Sequence, residues 1–184
     1  MLSYISLPIY LKLIYLKIYR WQFEIKTVSR RGVLLYNTGL TSRSDFVGVE
    51  LVDGHLRLLL NKGNGAIELR SQWSVSDGKW HEVVIQFNPT FMEISVDGAA
   101  VSQRLPQGGS RYLDLAETVF VGGIELNKRS RALGQGLLSA DTSFKVIHYI
   151  TIIALALAYF HRNSPRGLPG LTSPSDRQIN IKST

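Results

Sequence analysis

Val75-Ser76-Asp77-Gly78-Lys79-Trp80-His81-Glu82-Val83 is the stretch on which the reading of this chain turns. Asp77-Gly78 is a turn signal, because glycine accepts positive φ and aspartate bonds its own backbone two residues on. Beyond it Val83, Ile85 and Phe87 recur with the two-residue period of a half-buried strand. The expectation is that Trp80 enters this strand and buries its ring between two sheets. His81, one residue on, should then point the other way and bond a neighbouring backbone group.

Outward from this strand the pattern repeats. Residues 46–51 and 55–60 flank Asp53-Gly54, and residues 80–88 and 91–96 flank Pro89-Thr90. Asp97-Gly98 turns the chain into residues 99–105, and residues 119–122 form a short apolar strand ended by Gly122-Gly123. These are hairpin signals. No stretch between residues 23 and 145 sustains a helical period. Many short antiparallel strands with closely spaced turns predict an all-β, two-sheet sandwich.

Charge is distributed unevenly over the 184 residues. Residues 23–145 carry 14 Lys or Arg against 13 Asp or Glu, so the excess of +7 belongs mainly to the flanks. No basic stripe interleaved with stacking aromatics is present, which argues against a nucleic-acid partner. The absence of cysteine excludes disulfides and thiolate metal sites, and taken alone favours a reducing compartment. Phosphate-cradling Gly-Lys-Ser/Thr loops, Gly-x-Ser-x-Gly elbows and His-Glu-x-x-His are all missing, so nothing points to an enzyme. Glu93 and Asp97 are the one carboxylate pair that could share a face of a glycan-processing sandwich.

Six motifs in register then define a resemblance. They are Gly32-Val33-Leu34-Leu35-Tyr36, Asp45-Phe46-Val47-Gly48-Val49-Glu50-Leu51 with Asp53-Gly54, Asn61-Lys62-Gly63-Asn64-Gly65, the Asp77-to-Val83 stretch, Ser95-Val96-Asp97-Gly98 and Val119-Phe120-Val121-Gly122-Gly123-Ile124. Together they resemble the laminin G domain family, a concanavalin-type antiparallel β-sandwich. With Leu133-Gly134-Gln135-Gly136-Leu137 the finer resemblance is to the laminin G repeats of chondroitin sulfate proteoglycan 4 and its invertebrate relatives. The resemblance implies a non-catalytic extracellular or cell-surface module that recognises protein or glycan ligands through rim loops.

It also implies candidate sites. Many members hold Ca²⁺ at the rim; by position Asp45 would give a carboxylate and Lys62 a backbone carbonyl. A basic loop, Asn127-Lys128-Arg129-Ser130-Arg131, suits an anionic, sulfated glycan, with Lys128, Arg129 and Arg131 as ligands. The family's closing Gly-Cys strand is absent, since Thr142-Ser143-Phe144-Lys145 leads into Val146-Ile147-His148. Residues 23–145 therefore read as a laminin G-like domain lacking its last strand, which removes the conflict over cysteine and leaves a sheet edge exposed.

The flanks read differently. Residues 1–22 form an apolar extension broken by Pro8, Lys12 and Lys17, without the basic start and uninterrupted core of a signal peptide. Residues 146–160 make a 15-residue, largely apolar run, shorter than the roughly 20 residues of a membrane span, and membrane attachment stays open. The Pro/Ser/Arg-rich remainder to residue 184 is expected to be disordered. Besides the binding module, two further readings stand: a glycan-processing β-sandwich enzyme, and a truncated gene product with no independent role.

Overall fold

The computed structural model describes residues 5–8, 19–40, 45–107, 113, 115, 118–142, 148–155 and 178–181. In chain order the elements are β1 (Ile5–Pro8), β2 (Tyr19–Lys26), β3 (Gly32–Thr38), β4 (Phe46–Val52), β5 (His55–Asn61) and β6 (Ala66–Ser74). They continue with β7 (Trp80–Phe87), β8 (Phe91–Val96), β9 (Ala99–Arg104), β10 (Thr118–Val121), α1 (Leu126–Gly134), β11 (His148–Leu155) and β12 (Gln178–Ile181). Two six-stranded antiparallel sheets result, ordered β1-β10-β3-β4-β5-β6 and β12-β11-β2-β7-β8-β9.

Both Asp-Gly pairs close hairpins as the sequence predicts. Asp53 and Gly54 have φ of 54° and 86°, and Asp97 and Gly98 have φ of 50° and 82°. Positive φ at both central residues is the geometry whose twist matches two right-twisted strands. Strand parity then fills the core. Val47, Val49 and Leu51 of β4, Leu56, Leu58 and Leu60 of β5, and Val83, Ile85 and Phe87 of β7 are buried in one cluster with Phe23, Ile25, Met92, Ile94 and Val96.

The opposite face of the first sheet is covered as well, which the strand pattern alone does not announce. Tyr36, Phe46, Leu59 and Phe120 pack there with Ile124, Ala132, Leu137 and Ala140, in and around α1. Gly48 lies on this face, and a Cβ added to it would sit 3.1 Å from a Leu137 methyl. The bare backbone of Gly48 is what lets the cover approach so closely.

α1 corrects the expectation of a continuous run of strands, and the basic segment 127–131 is helix rather than loop. Its end is a Schellman motif: Leu137 N–H bonds the Ala132 carbonyl, and Gly136 N–H bonds that of Leu133. Gly136 supplies the left-handed residue, φ 97°, that this cap requires.

The sheet edge that was expected to lie open is paired in the structure. The β11 backbone runs antiparallel to β2, with Leu155 opposite Arg20 and Thr151 opposite Glu24. Residues 148–155 are thus strand. No helix among the described residues is long and apolar enough to cross a membrane. Most of the leading segment and of the tail beyond residue 155 lies outside the described residues.

Candidate functional site

The loops after β3 and after β5 carry Asp45 and Lys62, while Lys128, Arg129 and Arg131 lie on α1. Asp45 is buried where the chain enters β4; its carbonyl accepts from Gly39 N–H at 3.0 Å. Its Oδ1 reaches to 4.0 Å from the Cβ position of Gly63. Lys62 lies beside it: burial pulls the Lys62 ammonium below its ordinary pKa, while attraction to Asp45 opposes that fall. Asn61 Oδ1 accepts from Gly63 N–H at 2.8 Å, and Asn64 Nδ2 donates to the Gln107 carbonyl at 3.3 Å, tying in the chain after β9.

The structure therefore brings Asp45 and Lys62 together, but with an ammonium next to the carboxylate. Ca²⁺ takes six to eight oxygen ligands. Among the described residues there is no group of three His, Cys, Asp or Glu that could hold a metal ion.

Each of the three basic candidates has a partner within the fold. Lys128 Nζ sits 4.9 Å above the centre of the Phe120 ring, a cation–π contact. Arg129 Nε donates to the Ile124 carbonyl at 3.0 Å, and its Nη1 reaches the Asp141 carbonyl at 3.5 Å. Arg131 Nη2 donates to the Gly39 carbonyl at 2.8 Å, on the same rim as Asp45. Gln135, just past the helix, donates to Thr38 Oγ1 and accepts from the Tyr36 hydroxyl at 2.6 Å. These bonds make α1 a brace of the rim, a role that sequence reasoning missed.

Trp80 also departs from expectation. It is 45% exposed, because Val83, Ile85 and Phe87 take the inward parity of β7 and leave Trp80, Glu82, Val84 and Gln86 outside. His81 has the inward parity, and its side chain is 11% exposed. Its Nδ1 lies 2.7 Å from Asp97 Oδ2 and its Nε2 lies 2.9 Å from Asp77 Oδ1. Ionised carboxylates only accept, so both contacts are satisfied together when both ring nitrogens carry protons. The ring clamps the turn before β7 to the β8–β9 hairpin, where neighbouring backbone was expected as its partner. Asp97 is committed to this clamp and to Glu82 N–H, whereas Glu93 accepts from Gln86 at 2.7 Å, so the two carboxylates do not form a pair.

The clamp has a pH signature. Burial would lower the His81 pKa, but the bonds to Asp97 and Asp77 outweigh it and hold it above 6.5. The His81 bond, foremost, holds Asp77 and Asp97 below 3.8. A raised histidine stabilises fully below its unfolded value and loses that share as pH climbs through its folded one; a depressed aspartate stabilises above its unfolded value and loses its share on acidification. The clamp is therefore at full strength between about pH 4 and 6.5. Thermal melts should show stability declining above pH 6.5, and His81→Gln should flatten that decline. An unchanged slope in the variant would refute the clamp's contribution.

Comparison with known proteins decides the family. The laminin G domain model matches residues 25–144, more than half of the chain. The chain belongs to the laminin G domain family. Zebrafish (Danio rerio) Neurexin-3a is 39% identical over 108 residues, covering 57% of this chain and 6% of that protein. Human chondroitin sulfate proteoglycan 4 is 34% identical over 104 residues, covering 56% of this chain and 4% of that one. The laminin G domain thus spans a small fraction of the curated relatives it matches. Among solved structures, domains LG4-5 of the mouse laminin alpha1 chain superpose with a TM-score of 0.68 at 22% identity, over 84% of this chain and 39% of that one. This superposition supports the laminin G sandwich fold.

Proposed function

We propose that this laminin G domain is a non-catalytic extracellular or cell-surface binding module of a larger, proteoglycan-like protein, recognising protein or sulfated-glycan ligands through its rim loops. The observation that carries the reading is the braced rim: Arg131 holds Gly39, Gly39 holds Asp45, and the Lys62–Gly65 turn lies against Asp45. Loops held on a rigid scaffold by hydrogen bonds are pre-ordered for binding, which lowers the entropy lost on association. The commitment of Asp97 to His81 and of Glu93 to Gln86 weighs against the glycan-processing alternative, which needs a proton-donating carboxyl and a second carboxylate facing one substrate.

Heparin-column chromatography tests the sulfated-glycan arm. Lys128→Ala, Arg129→Ala and Arg131→Ala should each lower the salt needed for elution, because every lost cation removes an ion contact. Unchanged retention of all three variants, with melting curves showing them folded, would sink that arm.

A further inference from the structure

We propose that the outer face of the second sheet binds an uncharged oligosaccharide, with one unit seated in a cross-strand trough and a neighbouring unit stacked on Trp80, beyond the trough's Glu24–Glu82 wall. This surface is distinct from the loop rim. Strand parity sets it out row by row. Gln22, Val84, Ser95 and Ala100 are register partners across β2, β7, β8 and β9. Three of these four side chains are small, so they form a low floor. Glu24 and Glu82 stand opposite each other on one side of it, and Arg20, Gln86, Glu93 and Ser102 form a row on the other. Rows four residues apart along a strand are separated by about 13 Å, wide enough for a sugar ring between the walls. Lys26 and Trp80 pair in the next row beyond Glu24 and Glu82.

The chemistry of this face favours hydroxyl groups over ions. Arg20 Nη1 donates to Gln86 Oε1 at 3.1 Å, Gln86 Nε2 donates to Glu93 Oε1 at 2.7 Å, and Gln22 Nε2 donates to Glu82 Oε1 at 2.5 Å. Donors and acceptors alternate in fixed positions, and the carboxylates of Glu24, Glu82 and Glu93 are nearly balanced by Arg20 and Lys26. A sugar hydroxyl both donates and accepts, so it can join such a ladder without breaking it. A sulfated chain would meet the Glu24 and Glu82 carboxylates along one wall. A protein partner would need a broad apolar centre, and among the described side chains of β2, β7, β8 and β9 Trp80 is the one large exposed hydrophobe. An indole half open to solvent is suited to the C–H face of a pyranose ring, because its π-face is electron-rich.

The test uses the whole chain and immobilised neutral oligosaccharides of galactose, glucose and N-acetylglucosamine, with heparin as the ionic comparison. Wild type should bind at least one neutral probe, with little change on adding salt. Trp80→Ala and Ser95→Arg, the second filling the floor with a long side chain, should each weaken binding about tenfold or more. Both sites are on the surface, and melting curves establish that the variants are folded. Changing Lys128, Arg129 and Arg131 to alanine should leave neutral-probe binding intact, which separates this site from the rim. Failure of wild type to bind any neutral probe would overturn the proposal. So would binding that survives both Trp80→Ala and Ser95→Arg, or retention on heparin alone.

Discussion

Glu50→Ala is expected to lower unfolding stability by about 3–5 kcal/mol, measured by urea denaturation. The Glu50 side chain is fully buried on the face of the first sheet that α1 and the segment after it cover. Its Oε1 accepts from Arg57 Nη1, both oxygens accept from Leu138 N–H, and Oε2 accepts from Ser139 N–H at 2.7 Å. Arg57 reaches on to Glu68 and to the Gly136 carbonyl at 2.9 Å. Alanine would strip the buried Arg57 of one of its two carboxylates, leaving it Glu68 and the Gly136 carbonyl, and would strand two backbone donors; buried groups without partners are costly. Glu50→Gln keeps the shape and one acceptor oxygen, so it should lose less. Equal stability of wild type and Glu50→Ala would show that the network contributes nothing.

Deleting residues 146–184 should have an effect of similar size. Six register pairs join β11 to β2, and each backbone bond contributes on the order of 1 kcal/mol net, so a loss of about 3–6 kcal/mol is expected. The bared β2 edge would also present unpaired N–H and C=O groups to other chains. Denaturation curves and light scattering should show a less stable, concentration-dependent species. A truncated chain that melts like the full one and stays monomeric would mean that β11 contributes nothing to the fold.

The hairpins were readable because their causes are local. Asp53-Gly54 and Asp97-Gly98 carry their conformation in two residues, and the alternation through Val83, Ile85 and Phe87 names the buried face. The same parity places Trp80 with Glu82 and Gln86, so its exposure was legible too; the bulk of the ring suggested burial instead. α1 was not legible. It has no acidic residue in its first turn, and Glu125 makes no side-chain cap bond. What holds its end lies about ninety residues earlier in the chain: Tyr36, Thr38 and Gly39 bond Gln135 and Arg131, and Glu50 bonds Leu138 and Ser139. The Gly136 stop signal was present in the sequence, but not the partners that give the helix a surface to rest on.

The rim residues show a similar divide. Asp45 and Lys62 lie side by side because the hairpin pairs Phe46 with Asn61. The partner of Arg131 was hidden, because it is a backbone carbonyl about ninety residues earlier in the chain.

The brace between α1 and the rim also has a mechanical consequence. A ligand pulling on the Gly39 loop loads the Arg131 bond, and through α1 the load passes to Gly136, Leu138 and Ser139. Those residues are anchored to Arg57 and Glu50 in the middle of the first sheet. Tension applied at the edge of the module is thus shared with the buried Glu50–Arg57 network, rather than peeling one loop from its strand.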